Sequence, residues 1–366
     1  MIQGRVLPAG REVQAQPLKG SAREGIVSSP NLETYRKSFE ADRQLHSFQE
    51  PIQDDLVQMQ TLLREFFQTR VPLIHHVGDH LLTMAGKRFR PALTLLVARM
   101  GETVPREAAF AAAAIELIHT ATLVHDDTID KSALRRGLPT INALYNDLVA
   151  TILGDYIYTK VLVELLDRKA DAVVRVVART TYEMSIGEML QIQQKRNPEL
   201  IENEYLELVD AKTASLMSAA CEVGALVGGL RPEQVETLRL FGMDLGRAYQ
   251  ITDDVFDYVG DAGELGKFGQ SDLAEGKVTL PLIRALSRSS EDEKSRVAKI
   301  LRQPVLTSAD WRFVFDLLEG KKAFDECREV ALESARQAHR RLEGLPPSTY
   351  LTGIHQAVEY AVNRSH

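Results

Sequence analysis

From about Leu32 onward, apolar residues recur at intervals of three and four, the spacing that gathers them on one face of an α-helix. No stretch alternates with the two-residue rhythm of a strand. The pattern predicts one or two helices over Tyr35–Phe67, divided near Pro51. It then predicts helices over Val71–Met84, Pro91–Met100, Arg106–Asp130, Asn142–Leu166, Asp171–Gln194, Glu202–Val227 and Pro232–Val259, and a further set ending near Val362. Pro91 and Pro105 suit helix starts, where a missing N–H costs nothing. Residues 1–30 lack this rhythm and are rich in Gly, Pro, Gln and Ser, which predicts a disordered tail; residues 260–277 read as a Gly-rich, charged loop. The expectation is one all-α domain over residues 31–366. Segments 101–170 and 232–290 share an outline of helix, aspartate cluster, loop and helix, a faint trace of duplication.

Composition changes this picture little. Of 366 residues, 44% are hydrophobic and 26% charged, ordinary for a globular protein. A net charge of -7 argues against nucleic acid as a partner. Cys221 and Cys327 stand far apart and outside any CxxC, which suits a reducing compartment and a cytoplasmic location. Arginines in the first 30 residues leave organellar import as a weaker alternative, opposed by Glu12 and Glu24. The most apolar stretch, 208–230, is broken by Asp210, Lys212 and Glu222, so no membrane span is expected.

Chemistry enters with two aspartate clusters near the C-terminal ends of predicted helices. Asp126, Asp127 and Asp130 stand in HDDTID, and Asp253, Asp254 and Asp257 in QITDDVFDY. Positions i, i+1 and i+4 share one arc of a helix, so each cluster concentrates like charges that also oppose the macrodipole and call for cations. Oxygen ligands alone select a hard ion, Mg²⁺, which takes one or two carboxylates and completes its shell with water and phosphate. His119 and His125 are not spaced as a zinc set. A single DDxxD is equally well a solvated face; two, both embedded in apolar helices, point to paired metal sites.

Cations supply the other half of an anion site. Lys87, Arg88 and Arg90 in GKRFRP stand at a turn before a helix, where free N–H groups also favour phosphate. Arg135 and Arg136 follow the first cluster by a few residues, close enough to return over it. Lys212, Thr213, Lys267 and Lys277 extend the set, with Gln250 one turn before the second cluster. No GxxxxGK[ST] is present, and no nucleophile with an oriented base stands out.

In order along the chain, GKRFRP, LVHDDTIDKSALRRGLPTIN, GDYIY, DAKTASL and GRAYQITDDVFDYVGDAGELGKFGQSDLAEGKVTLPL resemble the motifs of the trans-isoprenyl diphosphate synthases, the polyprenyl synthetase family, over about residues 63–363. The resemblance implies the isoprenoid synthase fold, a bundle of long antiparallel helices around a central cavity, usually as a homodimer. It implies a prenyltransferase in which three Mg²⁺ hold an allylic diphosphate, farnesyl or geranylgeranyl, between the two aspartate motifs, while isopentenyl diphosphate binds beside it. By motif, Asp126, Asp127, Asp130 and Asp253 would be the main metal ligands, supported by Asp254 and Asp257. Arg135, Lys212, Thr213, Gln250, Lys267 and Lys277 would hold the allylic diphosphate, and Lys87, Arg90, His119 and Arg136 the isopentenyl diphosphate, with Arg88 in the same basic turn. Ala108–Ala114 would pack against a partner helix.

Ala121 and Thr122, about one turn before Asp126, are small where short-chain members often carry aromatic residues. A long product, about C35 to C50, is therefore expected from an apolar cavity left open there, with Ile118, Tyr158 and Leu162 as a deeper floor and a quinone ring as the acceptor. The same small residues would serve tight helix packing. The alternatives are a shorter-chain (geranylgeranyl or farnesyl) synthase, a class I terpene cyclase and a non-catalytic partner subunit of a heteromeric synthase. Two intact triplets and every basic motif argue against the last two.

Overall fold

The computed structural model describes residues 45–84, 86–102, 104–259 and 272–364. The expected tail at 1–30, the start of the first expected helix and most of the loop at 260–277, Lys267 included, lie outside the described residues. The described chain is all-α apart from one tiny hairpin. In order come α1 (Gln53–Phe66), α2 (Pro72–Thr83), α3 (Phe89–Ala98), α4 (Pro105–Ile129), β1 (Leu134–Arg135), β2 (Leu138–Pro139), α5 (Ile141–Leu144), α6 (Asp147–Asp167), α7 (Asp171–Gln194), α8 (Glu202–Val209), α9 (Ser215–Val227) and α10 (Pro232–Val259). After the undescribed loop follow α11 (Leu280–Leu286), α12 (Glu291–Leu301), α13 (Ser308–Gly320), α14 (Ala323–Arg341) and α15 (Thr349–Asn363).

α4 is the hub. It packs against α1, α3, α6 and α9, and its alanines let those neighbours approach closely. Ala108, Ala109 and Ala111 through Ala114 are all buried there. Because the burial is internal to the chain, this stretch offers no surface to a partner, contrary to the expectation from sequence. By length and apolarity α4 would suit a membrane crossing, and in the fold these neighbouring helices cover its apolar faces.

Two hydrophobic cores meet at a seam. The larger joins α1, α3, α4, α6 and α9 to the first half of α10, up to Ala248; the smaller joins α8, α11 and α13 to the second half of α10, from Ile251. The second aspartate cluster lies just past this changeover. The chain crosses the same seam between α8, whose Tyr205 and Val209 belong to the smaller core, and α9, whose Leu216 and Met217 belong to the larger.

Three local features depart from the periodicity. The expected helix over Glu202–Val227 is widened at Asp210–Ala214 into a π turn, closed by a hydrogen bond from Ser215 N–H to the Asp210 carbonyl. The expected helix over Asn142–Leu166 is split, because extended Asn146 caps α6, its side chain accepting from Val149 N–H at 2.9 Å. Where no strand was expected, Leu134 pairs with Pro139 and Arg135 with Leu138 around Arg136 (φ 53) and Gly137 (φ 76). Two positive φ values make the tight hairpin turn that fits strand twist, and glycine accepts the second without strain.

Candidate active site

The C-terminal halves of α4 and α10, the π turn and the start of the segment before α11 enclose a pocket of about 350 Å³ at the seam. From the first cluster it is lined by Asp126 and Asp130, and from the second by Asp253 and Asp254. Asp127 and Asp257 do not line it. Asp127 is gripped by Arg135, whose Nε lies 3.0 and 2.9 Å from its two oxygens, and Asp257 accepts from Asp272 N–H at 3.0 Å. The hairpin thus returns Arg135 over the first cluster, where sequence spacing placed it.

Cations alternate with these carboxylates. Lys212 Nζ lies 3.7 Å from Asp126 and is bonded to Glu188 and, at 3.1 Å, to Gln191. Lys277 lies 3.6 Å from Asp130 and 3.4 Å from Asp272. Thr213 donates to Gln250 at 2.9 Å, and Gln250 donates onward to Asp254 at 2.7 Å.

The GKRFRP turn divides its residues. Arg90 lines the pocket, its Nε buried and without a hydrogen-bond partner among the described residues. Arg88 points instead into a buried pair with Glu116 at 2.5 Å, and Lys87 sits over the Tyr360 ring at 5.6 Å, off the pocket wall. Arg136, also off the wall, donates to the Met84 carbonyl at 2.7 Å. His119 lines the pocket, and its nitrogen Nε2 lies 3.2 Å from Arg90 Nη1. Burial, reinforced by Arg90 and Arg136, holds its pKa well below the ordinary value. The imidazole is therefore neutral, accepting from Arg90 and carrying its proton on Nδ1.

The donors suit a hard divalent cation: among the described residues five carboxylates, Asp126, Asp130, Asp253, Asp254 and Asp272, line the pocket, with no sulfur or imidazole facing them as a set. Among the described residues no three His, Cys, Asp or Glu side chains converge as a finished cage. Such sparse carboxylates fit Mg²⁺, whose shell is completed by water and phosphate.

A polyprenyl synthetase family model matches residues 71–318, more than half of the chain. The chain belongs to the polyprenyl synthetase family. It is 36% identical over 317 residues to an all-trans-nonaprenyl-diphosphate synthase (geranyl-diphosphate specific) of Rhodobacter capsulatus, covering 86% of this chain and 96% of the relative. Among solved structures, a decaprenyl diphosphate synthase from Rhodobacter capsulatus superposes with a TM-score of 0.83 at 33% identity, covering 89% of this chain and 99% of that one. A polyprenyl synthase from Caulobacter crescentus CB15, complexed with calcium and isoprenyl diphosphate, gives 0.83 at 31%, covering 88% and 98%. The enzyme is a prenyltransferase of the isoprenoid synthase fold, and its relatives include long-chain octaprenyl and nonaprenyl diphosphate synthases as well as a short-chain isoprenyl diphosphate synthase.

In this polyprenyl synthetase a second, more apolar cavity of about 760 Å³ between α4, α6 and α7 lies against the aspartate-lined pocket, with Thr122, Asp126 and Met184 lining both. Of the five residues expected to set product length, Thr122, Tyr158 and Leu162 line this cavity. Ile118 and Ala121 do not; both are buried in the main core, Ile118 one turn below Thr122 and Ala121 on a neighbouring face of α4. Thr122 Oγ1 and Tyr158 Oη share a 2.8 Å hydrogen bond across the cavity wall.

Several of the synthase's pocket residues escaped the sequence reading. Tyr205 donates to Asp254 at 2.6 Å, Glu188 pairs with Lys212, and Lys195 lies 3.7 Å from Asp130. Arg364, just past α15, is buried; it contacts Asp253 at 2.6 Å and stacks on Tyr249 at 3.5 Å. Of the charged residues lining the pocket that the motifs did not single out, Asp272 stood inside a quoted motif and Lys195 did not. A tyrosine or glutamate on an amphipathic helix, or an arginine at a helix end, has no local signature of function.

Burial raises the Asp126 carboxyl to about 6, Glu188 adding to the effect against Lys212, and burial with Asp272 nearby raises Asp254 as well. For such groups the folded state holds the proton more tightly. Their stabilising contribution is complete below the unfolded value of 3.8 and is lost as pH rises through about 6 for Asp126. Protons would therefore compete with a Mg²⁺ held by these carboxylates. Adding Mg²⁺ with inorganic pyrophosphate is expected to raise the melting temperature more at pH 8 than at pH 6, relative to chelator alone. Equal shifts in scanning calorimetry would refute this.

Proposed function

We propose that this chain condenses isopentenyl diphosphate head-to-tail onto an allylic diphosphate, farnesyl or geranylgeranyl, and extends it to a product of about C35 to C50 destined for a quinone ring. One observation carries the reading: the charged pocket and the apolar cavity share the wall at Thr122 and Asp126. A substrate with a diphosphate head and a growing hydrocarbon tail fits that junction.

Asp126, Asp130, Asp253 and Asp254 would hold Mg²⁺, three ions by family analogy, and bound Mg²⁺ would neutralise the leaving diphosphate. Lys212, Thr213, Gln250 and Lys277 orient that diphosphate so that its C–O bond breaks with the electron pair leaving on oxygen. Arg90 and neutral His119 grip isopentenyl diphosphate. Its double bond then attacks the allylic carbocation, and the released diphosphate takes the proton lost in forming the new double bond. Apolar walls keep water from the cation.

Exposed apolar side chains on α6 and α7, among them Leu148, Ile152, Tyr182 and Met189, support a homodimer formed through that face rather than through the alanines of α4. The test incubates the purified chain alone with Mg²⁺, farnesyl diphosphate and labelled isopentenyl diphosphate, its mass followed by light scattering. Elongation to a long ladder by a species of twice the monomer mass is expected. No elongation would defeat the catalytic reading, cyclised hydrocarbon would favour a cyclase, and a monomeric active species would remove the dimer.

A further inference from the structure

We propose that Asp210 and Arg247 are a positioning pair, which holds the π turn in register and thereby aims Lys212 and Thr213 at the diphosphate. The proposal rests on the catalytic reading above and assigns work to two residues outside the pocket. Neither lines it.

The π turn presents two faces. Lys212 and Thr213 face the diphosphate pocket, whereas Asp210 and Ala211 face a separate groove of about 560 Å³ on the other side. A turn closed five residues apart is a poor substitute for α-helix and persists where its surroundings enforce it. If the surplus residue were absorbed, every side chain beyond it would rotate by about 100° around the helix. Lys212 would leave Asp126, and Thr213 would leave Gln250.

Packing pinches the turn from two sides. A Cβ at Gly187 of α7 would stand 2.5 Å from Lys212 N, and one at Gly246 of α10 would stand 2.5 Å from Ala214 Cα. Those contacts fix how close the backbone lies, but glycine surfaces are smooth and do not fix rotation. Arg247, the neighbour of Gly246, supplies that constraint. Its Nε and Nη2 meet the two Asp210 oxygens at 2.5 and 2.6 Å, a forked contact that is rigid in the plane of both groups. Asp244 steadies the arginine from one turn back, at 3.8 Å, and is itself held by Arg341 of α14 at 3.1 Å. The fork thus ties the first residue of the π turn to α10, the helix that also carries Gln250, Asp253 and Asp254.

Arg247 and Asp210 are both partly exposed, so a merely structural pair would alter stability slightly and kinetics not at all. A positioning pair gives a different signature. Arg247→Ala is expected to raise KM for the allylic diphosphate about tenfold, a loss characteristic of ground-state binding. The turnover number should fall as well, because Lys212 and Thr213 orient the leaving group, whereas the KM for isopentenyl diphosphate should stay within about twofold. Affinity for inorganic pyrophosphate with Mg²⁺, measured by calorimetry, should fall with that KM. Asp210→Ala should reproduce the effect, and the double variant should be no worse than either single one, because each breaks the same contact.

Arg247→Lys keeps charge and bulk without the fork and should show the same split in smaller measure, which serves if the alanine variant does not fold. Unchanged allylic KM and pyrophosphate affinity would overturn the proposal. So would equal rises in both KM values, or additive losses in the double variant. If the wild-type chain fails to elongate, the catalytic reading falls, while the pyrophosphate titration still decides whether the pair aims Lys212 and Thr213.

Discussion

Asp126→Ala is expected to lower turnover by about 10²–10³-fold, the scale of losing a preorganised electrostatic contact to the reacting groups. The fold should be unharmed. Burial already lifts the Asp126 carboxyl to about 6, so the fold gains nothing from its ionised form near neutrality. Its removal also leaves Lys212 with Glu188 and Gln191 as partners. The melting temperature at pH 7 should stay level or rise. Asp127→Ala forms the contrast: that carboxylate is buried in the grip of Arg135, and deleting it leaves a half-buried guanidinium unpaired. This variant should melt earlier as well as turn over more slowly. Steady-state kinetics with calorimetry on both proteins checks the pair, and an Asp126→Ala enzyme within tenfold of wild type would remove Asp126 from the machinery.

Thr122→Phe is expected to shorten the product by several isoprene units. Thr122 stands on the wall shared by the aspartate-lined pocket and the apolar cavity and is bonded to Tyr158. An aromatic ring there would fill the passage that the second and later additions must enter. Overpacking costs roughly 1–3 kcal/mol in a tight core, but Thr122 faces open cavity, so the strain should be at the lower end. Ala121→Phe makes the useful comparison. Ala121 is fully buried against neighbouring helices and touches neither cavity, so the ring should destabilise the protein and leave the chain length of any product unaltered. Chromatography of dephosphorylated products reads both results. An unchanged ladder from Thr122→Phe would move the limiting wall elsewhere.

The helices were legible because most bury one continuous stripe, as α10 and α14 do, while α3, α4 and α9, buried nearly all round, show instead as long apolar runs, and both patterns are local. The two aspartate arcs were legible for the same reason. What the pattern could not show is which side chain of an arc faces inward: Asp126 and Asp127 are neighbours, yet one lines the pocket and the other is turned to Arg135. That outcome depends on the hairpin at Arg136 and Gly137, a contact between segments. Likewise Ala121 and Thr122 share smallness but occupy different faces of α4. The π turn escaped because one surplus residue in five leaves apolar spacing almost undisturbed, and Arg364 because its partner Asp253 is far away in sequence.

The widened turn at Asp210–Ala214 also bears on which genetic changes the chain can absorb. It joins α8, committed to the smaller core, to α9, committed to the larger. Deleting one codon there would leave a more regular helix by local preference, and so would look harmless. Yet the deletion would turn α9 by about 100° relative to α8, and no single rotation could then keep Val209 in one core and Leu216 in the other. At this point in the gene, improving the helix would break the protein.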